Sequence, residues 1–152
     1  MKENAPNETP IELLLIDDDE KDIFLTQRAF RKCGVKSHVQ VAKDGEEGVA
    51  LLRGTSPFEM ASRPDLIMLD LNMPRMTGYE FLDIVKTDED LKSIPVIVMT
   101  MSQSEVDMER SYWAHANAFL SKPLELDEFT SVIHAVEAFW FKSARLPQRR
   151  GA

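Results

Sequence analysis

The chain has 152 residues, enough for one compact domain with a sizeable core. Hydrophobic residues make up 43% and charged residues 29%, the mix of an ordinary soluble globular protein. The 26 acidic residues outnumber the 18 basic ones for a net charge of −8, which argues against a general nucleic-acid binder and favours a cation site wherever the acids cluster.

In chain order, residues 1–10 are polar with two prolines and read as a disordered tail. They lack the apolar core of a signal peptide. Ile11–Ile16 (IELLLI) is a short apolar strand, followed at once by DDDE. From Asp19 the spacing becomes helical: Ile23, Leu25, Phe30 and Cys33 mark a face and Gly34 a stop. His38–Ala42 alternates as a second strand, and Gly45–Arg53 reads as a helix ending near Gly54. Residues 54–64 form a loop that is long for a compact domain. Asp65–Asp70 is a third strand, and Gly78–Lys86 a helix with Phe81, Leu82 and Val85 on one side. Val96–Thr100 (VIVMT) is a β-branched fourth strand, Ser104–Ala114 a helix, and Ala118–Leu120 a very short fifth strand. Leu126, Phe129, Ile133, Val136 and Trp140 define one face of a final helix. A basic, aperiodic tail spans residues 142–152. The expected organisation is therefore one domain over residues 11–141 between two tails. No apolar run approaches the roughly 20 residues that a membrane helix needs. The lone cysteine, Cys33, excludes an internal disulfide and fits a reducing cytoplasm.

Near-continuous apolar strands alternating with helices indicate a parallel sheet covered on both faces. Five such units predict the flavodoxin-like doubly wound α/β fold, (βα)5, with strand order 2-1-3-4-5. Ligands bind such sheets beyond the carboxyl ends of the strands, where the order reverses. Asp17 and Asp18 follow the first strand, and Asp70 ends the third. Crowded carboxylates raise one another's pKa, and a hard divalent cation relieves the repulsion. Mg²⁺, or Mn²⁺ in its place, suits a few carboxylates plus waters and a phosphate oxygen. Thr100 ends the fourth strand and Lys122 follows the fifth, at the same edge. A carboxylate nucleophile, a metal, a hydroxyl and an ammonium around one pocket suit phosphoryl transfer, with Asp70 as acceptor.

With these residues placed, the sequence resembles the response-regulator receiver domain of two-component signalling. The matching segments are LLLIDDDE, LIMLDLNMPRMTGYEFL, IPVIVMT and AFLSKP, in family order and spacing. The resemblance covers residues 11–141. It implies a histidine kinase as phosphoryl donor to Asp70, with Asp17, Asp18, Asp70 and the backbone carbonyl of Asn72 holding the metal. It further implies that Thr100 and Lys122 contact the phosphoryl group, and that Phe119 holds the aromatic switch position. The protein would then be no enzyme beyond promoting its own phosphorylation and dephosphorylation. A narrower resemblance, to single-domain regulators that partner bacterial phytochromes, rests on the long loop before the third strand, on YWAHANAFLSKP and on AFWFKSARLPQ. Such regulators often carry Glu-Asp where this chain has Asp17-Asp18; either pair serves a metal. About ten residues follow Phe141, too few for an output domain. Output is therefore expected through protein contacts or phosphorelay to another protein. Three consecutive aromatics, Phe139, Trp140 and Phe141, cannot all face one core. A homodimer through the fourth helix, fifth strand and fifth helix is expected.

Asp19 reads as a helix N-cap rather than a ligand. His38, His115 and His134 share no metal-ligand spacing, and Met99, Met101 and Met108 read as packing. Trp113 reads equally as core or interface. A flavodoxin would need a Ser/Thr/Gly-rich phosphate loop where this chain has DDDE. A haloacid-type phosphatase would match Asp17 and Asp19, but Lys21 stands where a Thr belongs. A phosphorylation-independent binding module is disfavoured by five intact site positions.

Overall fold

A computed structural model describes residues 10–32 and 36–147. The expectations for residues 1–9, for Cys33 and Gly34, and for residues 148–152 lie outside the described residues. Strands β1 (Ile11–Ile16), β2 (Ser37–Ala42), β3 (Leu66–Leu69), β4 (Val96–Thr100) and β5 (Ala118–Ser121) pair in parallel in the order β2-β1-β3-β4-β5. Helices α1 (Glu20–Arg31), α2 (Gly45–Arg53), α3 (Gly78–Thr87), α4 (Glu105–Trp113) and α5 (Leu126–Val136) alternate with them. This is the expected flavodoxin-like fold. No described helix is long and apolar enough to cross a membrane.

Successive residues of a strand point to opposite faces, and here both faces are covered. Leu13, Leu15, Met68 and Ile97 pack with Phe30 of α1 and with Phe129 and Ile133 of α5. Leu14, Ile16, Ile67 and Leu69 pack with Val49 of α2 and Phe81 of α3. That is why the central strands β1, β3 and β4 read as near-continuous apolar runs. Helices α1 to α4 begin where short polar side chains satisfy their first N–H groups, whereas α5 follows Glu125 with no side-chain cap. Asp19 accepts from the N–H groups of Lys21 and Asp22, Asp44 from Glu47, and Ser104 from Asp107. Thr77 and Glu80 form a reciprocal capping box on α3. Gly54 closes α2 with φ +65°, a left-handed conformation that costs a side-chain-bearing residue.

Three expectations need correction. The final helix does not stay α-helical to Trp140: past Val136 it widens into a π-helical segment, Glu137–Ser143. Apolar spacings of three and four residues cannot distinguish a regular helix from one widened at its end. In this segment Phe141 stacks on Phe30 with ring centroids 5.4 Å apart, while Phe139 is 55% exposed. Second, Leu126 is exposed, although its spacing put it on the buried face. Third, Met101 is exposed rather than packed in the core. Both line a cleft with Leu25 and Leu124, beyond the strand ends, where the sheet no longer offers a surface to cover.

Candidate functional site

The sheet ladder runs past the strand ends and places the polar residues there. The Asp17 N–H donates to the Ala42 carbonyl at 3.1 Å, the Asp70 N–H to Ile16 at 3.0 Å, and the Lys122 N–H to Thr100 at 2.7 Å. Three residues separated by up to 105 positions therefore emerge side by side. The Lys122 ammonium donates to Asp17 Oδ2 at 2.7 Å, to Asp22 Oδ2 at 2.9 Å and to Asp70 Oδ2 at 3.2 Å. Its side chain is only 5% exposed. The Asp17 carboxylate is oriented from its other oxygen, which accepts the Asp19 N–H at 2.9 Å.

Asp17, Asp18 and Asp70 each offer a carboxylate oxygen within 4.8 Å of the others. Asp17 is buried, Asp70 half-buried, and Asp18 exposed. Burial pushes the Asp17 carboxyl up to about 6, against the opposing attraction and hydrogen bond of Lys122, with Asp70 adding to the rise. Burial likewise works against the Lys122 charge, but Asp70 and Asp17 outweigh it and hold the ammonium above its ordinary value. One cation among this many acids leaves the cluster net negative. A compact set of hard oxygen donors with uncompensated charge fits a small divalent ion such as Mg²⁺ or Mn²⁺.

The surrounding loops are anchored. Gly78 closes the β3–α3 loop by donating to the Leu71 carbonyl at 2.9 Å. A Cβ there would lie 2.7 Å from Leu71 Cα and 2.8 Å from the Asp70 carbonyl oxygen, so this approach admits no side chain. Arg75 in the same loop has left-handed backbone (φ 65°), and its Nε and Nη2 both donate to Asp44 Oδ2, Nε at 2.8 Å. Beyond β4, Thr100 is fully buried, and its Oγ1 accepts the Ser102 N–H at 3.4 Å. Ser102 Oγ donates to Asp107 Oδ2 at 2.6 Å, and the Tyr79 hydroxyl donates to Asp107 Oδ1 at 2.5 Å. Phe119 is half-buried against the α2/α3 core, and its N–H donates to the Tyr112 hydroxyl at 3.3 Å.

The family description "Response regulator receiver domain" matches residues 13–134. The chain belongs to the response regulator receiver family. It is 35% identical over 138 residues to response regulator Rcp1 of Synechocystis sp., which covers 91% of this chain and 94% of that one. The Mn²⁺-bound structure of Rcp1 superposes with a TM-score of 0.87 at 34% identity, covering 91% of this chain and 100% of that one. The phosphorylated cyanobacterial phytochrome response regulator RcpA superposes with a TM-score of 0.88 at 38% identity, covering 92% of this chain and all of the other. The bacteriophytochrome response regulator AtBRR superposes with a TM-score of 0.71 at 36% identity, over 88% of this chain and 96% of that one.

For this receiver domain, the structure brings together Asp17, Asp18, Asp70 and Lys122. Thr100 lies on the strand between β3 and β5, joined to Lys122 through the backbone. Asn72 is exposed two residues beyond Asp70, its N–H 3.4 Å from Asp70 Oδ1. Phe119 is on β5. Asp19 is the cap expected of it. The sequence reading missed Asp22, whose place in the first turn of α1 looks like an ordinary helix-dipole partner. Its one signal is that it begins a helix at the same sheet edge as the aspartates. Asp107 and the Arg75–Asp44 pair were missed as well, because they join separate loops and carry no local pattern.

Proposed function

We propose that the protein is a response regulator that accepts a phosphoryl group on Asp70 from a histidine kinase, with Mg²⁺ or Mn²⁺ bound. The observation that carries this reading is the buried Lys122 ammonium, held between Asp17 and Asp70 at the carboxyl edge of the sheet. An Asp70 carboxylate oxygen would attack the phosphorus of a phosphohistidine. The new O–P bond forms as the P–N bond breaks, and the imidazole leaves with the bonding pair. Asp17, Asp18, Asp70 and the Asn72 carbonyl would hold the metal, which when bound supplies charge neutralisation for the oxygens of the transferred group. Lys122 keeps a preorganised cation at Asp70, and the Thr100 hydroxyl would hydrogen-bond a phosphoryl oxygen. Movement of Thr100 toward that oxygen would free room for the half-buried Phe119 ring and reshape the α4–β5–α5 face. The phosphoryl group need only favour one of two existing arrangements.

Likeness to the phytochrome regulators supports a bacteriophytochrome as the donor kinase. Exposed Val106, Tyr112 and Trp113 of α4, with Phe139, support a homodimer through α4, β5 and α5. The test of the central reading is direct. Acetyl phosphate with Mg²⁺ should add about 80 Da, one phosphoryl group on the Asp70 nucleophile, to the intact chain. The gain should vanish in Asp70→Asn and with a chelator. No gain, together with no beryllofluoride binding, would leave a phosphorylation-independent binding module instead.

A further inference from the structure

An ammonium has three N–H donors, and Lys122 spends all of them on carboxylates: Asp17, Asp22 and Asp70. Under the function proposed above, on which this inference rests, two of those partners have other work. Asp70 receives the phosphoryl group, and Asp17 is shared with a metal. Asp22 has neither task. It lies in the first turn of α1, where its N–H is pinned to Asp19 Oδ1 at 3.1 Å, and its side chain is 18% exposed. We infer that Asp22 is a positioning residue for phosphoryl transfer: it tethers the Lys122 ammonium throughout the cycle, so that the donor freed when Asp70 is esterified points at a phosphoryl oxygen.

The tether answers a weakness of lysine. Its charge sits on a flexible four-carbon stem, and holding that head in one place has an entropic cost. The Lys122 backbone is fixed by its hydrogen bond to Thr100. The other end needs an anchor that the reaction does not consume, and α1 supplies one through Asp22. A merely structural Asp22 would act differently. As a helix-dipole partner it would change only the stability of α1. As one more acid near the metal it would change only metal affinity.

Full-length wild type, Asp22→Ala and Asp22→Asn separate these roles. Phosphorylation rates are followed by intact mass over a range of acetyl phosphate concentrations, Mg²⁺ affinity by calorimetry, and the Lys122 ammonium by its ¹H–¹⁵N NMR signal. Asp22→Ala should lower the saturating phosphorylation rate about tenfold, as expected for losing a hydrogen bond to a charged group. Its Mg²⁺ affinity should stay near wild type, and the Lys122 signal should shift or broaden. Asp22→Asn, which keeps an acceptor oxygen in place, should stay closer to wild type than to Asp22→Ala. A wild-type rate and an unchanged Lys122 signal in Asp22→Ala would overturn the tether, whatever happens to its melting temperature. A rate loss matched by an equal loss of Mg²⁺ affinity would overturn it too. A wild type that neither gains mass nor binds beryllofluoride removes the receiver function itself, a failure visible before any variant is compared.

Discussion

Asp44 is fully buried, yet its partners lie in two different segments. It caps α2 through the Glu47 N–H at 2.8 Å and receives the Arg75 guanidinium from the β3–α3 loop. Burial works to raise its carboxyl, but the Glu47 hydrogen bond and Arg75 together hold it below the ordinary value. A depressed carboxyl contributes stability that is present above its unfolded pKa, about 3.9, and is lost as pH falls through the folded value. Asp44→Ala should therefore destabilise the domain at neutral pH by about 1–2 kcal/mol through the lost cap, measured by urea denaturation. Arg75→Ala should let the Asp44 carboxyl rise and shift the acid-unfolding midpoint, followed by circular dichroism, to higher pH. At this scale the sequence was legible where a residue's location follows from the end of a strand. Asp17, Asp70, Thr100 and Lys122 are of that kind. Asp22, Asp44 and Arg75 are not, because each depends on which loops the fold brings together.

At the scale of elements, α3 and α4 are tied to the loop after β4 through one carboxylate. Asp107 accepts from Tyr79 on α3 and from Ser102 two residues beyond Thr100, and Arg110 lies over the Tyr79 ring at 3.8 Å. Burial first, and then Asp107, push the Tyr79 phenol up to about 12. A raised phenol contributes stability that is complete below its unfolded value near 10 and is lost as pH climbs through about 12. The difference in alkaline absorbance titration between wild type and Tyr79→Phe should show one phenol ionising near 12. Wild type should lose more stability than Tyr79→Phe over that interval. Elements themselves were legible nearly to the residue, because strands buried on both faces and capped helices leave strong local marks. The exception is the widened segment after α5, which preserves the spacing of a regular helix while changing its hydrogen bonding.

For the molecule as a whole, alternating strands and helices indicate a parallel sheet, and the order β2-β1-β3-β4-β5 expected for five such units puts the candidate site at its reversal point. That much could be read from residue order alone. The surface was less legible: exposure of Trp113, at 83%, depends on how α4 lies and not on local pattern. Such exposure is the ground for the proposed dimer. Light scattering at micromolar concentration should give twice the chain mass, with and without beryllofluoride. Trp113→Ala and Phe139→Ala should shift it toward the monomer. A monomeric wild type in both conditions would remove the dimer and leave the phosphoacceptor reading untouched.

The stacking of Phe141 on Phe30 has a consequence for biosynthesis. Those rings belong to the first helix and to the segment that follows the last one. As the chain leaves the ribosome, at about 5–20 residues per second, α2 and α3 reach their side of the sheet early. The opposite side has only α1 until α5 and the segment after it have been made. Leu13, Met68 and Ile97, which share one apolar cluster with Phe30 of α1 and with Phe129 and Ile133 of α5, lack the α5 part of their cover until then. A nascent chain stalled before Leu126 therefore leaves the α5 side of that cluster open, an apolar surface of the kind that makes partly made domains prone to association.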